Sequence, residues 1–231
     1  MGFERYSAGH ILILVIIAAA CIIGAVIFRK LPEKGKKVTS LFLGIVITVM
    51  DLLHYWLYWR AGILGIVSLP LHLCALAVYV VLIHSIWKPD WAGQVLYALS
   101  LPGVWCALIF TDWTAHPILS YPSLHSFIMH GLISLYIIMQ VAGRRIVPRF
   151  SAIWKCILFL CVTGPAAAIA NHFLGTNFMF RAEPVPGSPL QYLYELAGGN
   201  GLLYVAFLAV LALLLMTLMY LPFTIYRLIK R

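Results

Sequence analysis

Seven apolar runs, each close to the length that crosses a bilayer, divide the chain at roughly residues 10–28, 39–58, 68–87, 91–110, 124–142, 153–175 and 201–225. A spanning helix needs about 20 apolar residues, because the hydrocarbon core is about 30 Å thick and each residue rises about 1.5 Å. The pattern predicts an all-α membrane protein, a seven-transmembrane-helix bundle forming one polytopic domain over residues 1–231. Composition agrees. Hydrophobic residues make up 63% of the chain, charged residues 10%, and mean hydropathy is +0.99, whereas soluble domains run at roughly half apolar and a quarter charged. A water-soluble globule is excluded. The first run is followed by its basic residues and has no small-residue cleavage site, so it reads as a retained helix.

The net charge of +9 falls on alternate connections. Thirteen of the sixteen Lys and Arg lie after the first, third, fifth and seventh runs, from Arg29 to Lys37, at Lys88, from Arg144 to Lys155 and from Arg227 to Arg231. Only Arg5, Arg60 and Arg181 fall on the other side. Lys and Arg collect in cytoplasmic loops, so the expected topology has the N-terminus outside and the C-terminus cytoplasmic. A face this basic is expected to hold anionic lipid headgroups. No aromatic–basic interleaving suggests nucleic acid, and no signal sets an oligomeric state. Cys21, Cys74, Cys106, Cys156 and Cys161 all sit in apolar segments, a distribution unlike a disulfide framework.

The connection at residues 176–200 carries Pro184, Pro186, Gly187, Pro189, Gly198 and Gly199. It is expected to form a folded loop or re-entrant lid on the outer side. Pro70 suits a first helical turn, and Pro102 and Pro165 are expected to kink the fourth and sixth helices.

An ionisable residue at mid-membrane costs about 2.5–3.5 kcal/mol on insertion scales, so polar groups inside the runs need a reason. Asp51, His54, Tyr55 and Tyr58 share one face of the second helix, and Ser123, Ser126, His130 and Ser134 form a similar stripe on the fifth. His72 and Cys74 open the third run; Asn171 and His172 close the sixth, ahead of Asn177 and Arg181. The expected topology places all of these in the outer half of the membrane. Cys74 and His130 come out about 6–9 Å below its outer surface at 1.5 Å per residue. His10, His116 and His125 read equally well as half-wetted interfacial side chains, and Trp56, Trp59, Trp87, Trp91 and Trp113 as interfacial belts.

The strings Leu69-Pro70-Leu71-His72-Leu73-Cys74, Phe127-Ile128-Met129-His130-Gly131 and Leu174-Gly175-Thr176-Asn177-x-Met179-Phe180, with Asp51-x-x-His54 before them, resemble the YwaF family of bacterial membrane proteins. That family is similar to the eukaryotic transmembrane protein 164, a cysteine-dependent phospholipid acyltransferase. The resemblance covers about residues 45–185. It departs at Asp51, where bacterial relatives more often carry Glu, and at residues 197–201. It implies a multi-pass protein of the bacterial plasma membrane, Cys74 as nucleophile with His72 two residues before it, and His130 as the helix-borne histidine.

The reading that follows is an acyltransferase or transacylase acting on a membrane phospholipid or lysolipid, with no cofactor and no metal. His130 would deprotonate Cys74, and the thiolate would form a thioester from a lipid ester. A helix N-terminus favours a thiolate while an apolar surrounding opposes it, so a base is required. Asp51, His54 or His72 would orient the base, Asn171 or Asn177 would donate to an oxyanion, and Arg181 stands with them as a supporting or substrate-binding residue. Two other classes fit the same residues: a zinc-dependent seven-helix lipid hydrolase and a non-enzymatic lipid or small-ligand sensor or carrier. The zinc reading lacks a His-x-x-x-His in the last run, and His125 and His130 point about 140° apart on a helix.

Overall fold

The computed structural model describes residues 2–230, and the described residues form helices joined by turns and loops, with no strand. Eight α-helices follow in order: α1 (Ala8–Lys30), α2 (Glu33–Arg60), α3 (Leu73–Trp87), α4 (Asp90–Ile109), α5 (Tyr121–Ala142), α6 (Ile153–Leu174), α7 (Pro189–Leu196) and α8 (Gly201–Ile229). Six of them are long and apolar enough to span a bilayer. The third run is the exception. It was expected to be helical from residue 68, yet α3 begins only at Leu73 and has 15 residues, a rise of roughly 22 Å.

Proline explains the late start. Leu69, immediately before Pro70, is extended at φ −57°, ψ 139°, as a residue preceding proline prefers. Pro70 therefore lies ahead of the helix instead of within its first turn. A 3-10 turn at Ile66–Ser68 and an extended stretch carry the chain down to His72, the N-cap at ψ 149°. Irregular backbone in a membrane bundle is tolerable where it lines a cavity, and this stretch does.

Pro102 is absorbed without breaking α4. The turn before it, Leu96–Ser100, is π-helical, and all five of its residues are buried. A π-turn widens the hydrogen-bond register where a proline withholds its N–H. The connection at 176–200 is built around a 3-10 turn at Phe178–Phe180 and the two-turn helix α7, whose Ser188 N-cap accepts from the Leu190 N–H.

Helices approach through glycine. A Cβ at Gly44 would stand 2.4 Å from Ser85 Oγ and 2.7 Å from Ser85 Cβ, so α2 seats on α3 only because that side chain is missing, and where α1 packs on α5 a Cβ at Gly24 would meet the tip of Leu135 at 2.4 Å. The shared core includes Val81, Leu96, Tyr136, Ile137 and Met216. Interhelical hydrogen bonds lock one half of it. His84 Nδ1 meets Tyr136 Oη at 2.8 Å, Gln140 donates to Ser40 Oγ at 2.8 Å, and Tyr220 donates to Gln94 Oε1 at 3.0 Å.

Basic connections gather at one end of the bundle. Arg145 reaches Glu33 at 3.4 Å, Arg149 and Lys155 both reach Asp90, and Arg227 donates to the Pro148 carbonyl at 3.0 Å. The turns after α1, α3 and α5 and the end of α8 therefore lie together. At the opposite end Arg5 ties the N-terminal segment to the Thr111 and Pro186 carbonyls.

Candidate functional site

Cys74 is the second residue of α3, one past the position where the extended stretch turns into helix. That places it in the first turn, whose N–H groups have no acceptor within the helix. Unpaired amides and the helix dipole at such a position favour a thiolate.

The sulfur lies on a cavity of about 350 Å³. Asp51, His54, His72, Cys74 and His130 all line it, together with Asp112, Trp113, His125 and Phe180. Five of the eight residues singled out from sequence thus converge from α2, the stretch before α3, α3 itself and α5. A larger groove of about 560 Å³ between α4 and α6 is lined by Asp90, Trp91, Trp154 and Lys155 with apolar neighbours, and offers no thiol or imidazole.

His130 is 8% exposed. Its Nδ1 lies 2.7 Å from the Ser126 carbonyl oxygen, which can only accept, so Nδ1 carries the proton. Nε2 is then a lone pair, buried and without a hydrogen-bond partner among the described residues. Trp113 stacks on the ring with centroids 5.4 Å apart, and its own indole N–H is also buried and unpartnered. A cavity with an unused acceptor and an unused donor side by side is equipped for proton transfer and for holding a developing negative charge.

His72 has the opposite tautomer. Its Nδ1 accepts the Met179 N–H at 3.3 Å, which leaves the proton on Nε2, and the ring packs on Phe178 and Phe180 at 5.3 and 5.2 Å. It therefore fastens the turn after α6 to the start of α3. Asp51 is buried, and its only side-chain partner among the described residues is the Tyr79 hydroxyl, which donates at 3.3 Å. His54 stacks on His125 at 4.0 Å and reaches Tyr121 Oη at 3.3 Å, forming an aromatic wall between α2 and α5.

Asn171, Asn177 and Arg181 do not line the cavity. Asn171 Oδ1 accepts from the Phe178 N–H at 2.7 Å and the Thr176 hydroxyl at 3.0 Å, while its amide donates to the Phe178 carbonyl at 3.1 Å. Asn177 accepts from the Ala182 N–H at 2.9 Å and donates to the Glu183 carbonyl at 2.8 Å. Both amides hold the shape of the turn after α6, and Arg181 follows that turn. Sequence reasoning missed Asp112 and gave Trp113 only an interfacial place. The available signal was depth, since both follow α4 at the level where the polar stripes of α2 and α5 also lie. Among the described residues, no three His, Cys, Asp or Glu side chains are grouped as a metal-ligand set.

A family model described as the TMEM164 family matches residues 5–220. The chain belongs to the TMEM164 family. The TMEM164 match runs from ahead of α1 into the last third of α8, well beyond the 45–185 stretch carried by the motif strings, and it contains every residue of the cavity. No curated protein and no solved structure matches the chain. Within the TMEM164 family this is a multi-pass membrane protein in which Asp51, His54, His72 and His130 share one cavity with Cys74.

Proposed function

We propose that the protein is an intramembrane phospholipid acyltransferase or transacylase that works through a thioester on Cys74. The observation that carries this reading is the pairing, in one cavity, of a helix-N-terminal thiol with an imidazole whose Nε2 is an unengaged base. His130 Nε2 removes the thiol proton, and the sulfur attacks the carbonyl carbon of a glycerophospholipid ester. The tetrahedral intermediate collapses by breaking the C–O ester bond, and the lysolipid oxygen leaves with the proton returned from His130. An acceptor hydroxyl or amine then gives its proton to His130, attacks the thioester carbonyl and releases the thiolate.

Two N–H donors suit the oxyanion better than Asn171 or Asn177. The Trp113 indole N–H has no partner among the described residues, and His72 Nε2–H is a donor by tautomer. Each such donor removed from other enzymes costs about 10²–10³ in rate. A lipid has a dry way in. Val67 and Leu69 line the cavity and are also exposed on the bundle surface, beside exposed Ile63, Leu64 and Ile66. These apolar side chains form the rim by which an acyl chain enters the cavity that Cys74 lines.

In this reading all seven runs cross the membrane, the N-terminus lies outside, the C-terminus lies inside, and the cavity faces the outer half of the bilayer. The LPLHLC and LGTN-x-MF strings support a YwaF-like bacterial protein of the plasma membrane. Intact-protein mass spectrometry after incubation with phospholipid bilayers tests the reading: an acyl-sized mass increase is expected on wild type and not on Cys74→Ala. Acyl transfer in liposomes by Cys74→Ala at the wild-type rate would overturn it.

A further inference from the structure

At the end of the bundle remote from the cavity, three turns bring cations together around too little negative charge. Arg145, after α5, is only 6% exposed in its side chain, and Lys36, in the first turn of α2, only 13%. Both draw on one carboxylate, that of Glu33, which is itself 75% exposed. Lys36 holds it at 2.9 Å and Arg145 at the longer 3.4 Å. Lys88, at the C-cap of α3, joins them. Burial and the charges of Arg145 and Lys37 hold its ammonium below its ordinary pKa, the mark of a crowded cationic patch.

The Arg145 fork is only partly used. Its Nε donates to Gln140 Oε1 at 3.1 Å, which sets the plane of the guanidinium, and one terminal nitrogen takes Glu33. The other terminal nitrogen is buried and has no hydrogen-bond partner among the described residues. A charged donor left unpaired in a buried place is costly, and a guanidinium edge with a weakly held and an unheld nitrogen matches two oxygens of a phosphate.

We propose that this end holds a binding site for a phosphate group, built on the Arg145 guanidinium with Lys36 and Lys88 at its rim, whose occupant is the headgroup of an anionic phospholipid. The location favours a lipid as the source. Arg145 and Lys88 follow the ends of membrane-crossing elements, where headgroup phosphates lie, and Trp87 beside Lys88 is exposed as an interfacial anchor would be. The site is separate from acyl transfer, since His130 lies 12 residues before the end of α5, a rise of roughly 18 Å. It does not depend on Cys74 chemistry.

The test uses the full chain in a neutral detergent, with native mass spectrometry and thermal stability read against dioleoylphosphatidylglycerol, dioleoylphosphatidylcholine and inorganic phosphate. Phosphatidylglycerol is expected to be retained and to raise the melting temperature more than phosphatidylcholine. Arg145→Gln should weaken that binding about tenfold, while Lys34→Gln, an exposed cation at the same end, should leave it unchanged. Equal losses in the two variants would mean diffuse attraction to a basic face and overturn the site. Equal retention of the two lipids, with no response to inorganic phosphate, would also overturn it. Inorganic phosphate binding with the Arg145 dependence, in place of the lipid, would keep the phosphate site and overturn the lipid as its occupant. Should Arg145→Gln fail to fold, Lys88→Gln is compared with Lys34→Gln on the same readings.

Discussion

His130 donates its Nδ1–H to the backbone carbonyl of Ser126, one helical turn earlier on α5, at 2.7 Å. The bond fixes the tautomer and the ring orientation together, and it uses a main-chain atom that no substitution at Ser126 removes. Ser126→Ala is therefore expected to keep acyl transfer within about twofold of wild type, whereas His130→Gln should lower thioester formation by about 10²–10⁴. Single-turnover acylation of Cys74, followed by intact mass, separates the two variants. Equal losses would place the proton acceptor elsewhere.

Trp113→Phe keeps a ring that can stack on His130 and deletes only the N–H. If that N–H stabilises the oxyanion, turnover should fall by about 10² with little change in thermal stability. An unchanged rate in a liposome transfer assay would leave Trp113 a packing role alone.

Asn171 is expected to matter for stability before chemistry. Its side chain makes three hydrogen bonds within the turn after α6, so Asn171→Ala should cost about 1–3 kcal/mol. Thermal or SDS-titration unfolding reads that loss directly. Any fall in rate should track the folded fraction, and a large rate defect at wild-type stability would restore a direct role in the reaction.

Gly44 keeps α2 and α3 close enough to share the cavity. Its missing Cβ would lie 2.4 Å from Ser85 Oγ and 2.7 Å from Ser85 Cβ. Gly44→Ala should force the helices apart at a cost of about 1–3 kcal/mol, and Gly44→Ala with Ser85→Gly should recover much of it. A double-mutant cycle on unfolding midpoints measures the coupling, and additive losses would show that the two positions do not meet.

The apolar runs and the sign of the connections were legible without coordinates, because spanning length and charge placement are local properties of the chain. Cys74, His72, His130, Asp51 and His54 were legible too, as costly polar groups at one depth. The start of α3 was not, because the turn at Ile66–Ser68 and the extension before Pro70 interrupt a run that hydropathy reads as continuous. Asn171 and Asn177 carried no mark distinguishing a donor to substrate from a donor to its own loop.

By itself the sequence determined a helical membrane protein, the level of its polar groups along each run and the end at which its cations collect. Tertiary structure alone decided which polar groups share a space. It brought Trp113 against His130 and placed Asp112 on the cavity, turned the Asn171 amide inward on its own turn, and left one nitrogen of Arg145 without a partner among the described residues. Depth follows from where a residue falls along its own helix. Facing and hydrogen-bond partners follow from how neighbouring helices rotate and approach, which contacts such as Gly44 with Ser85 settle across long stretches of chain.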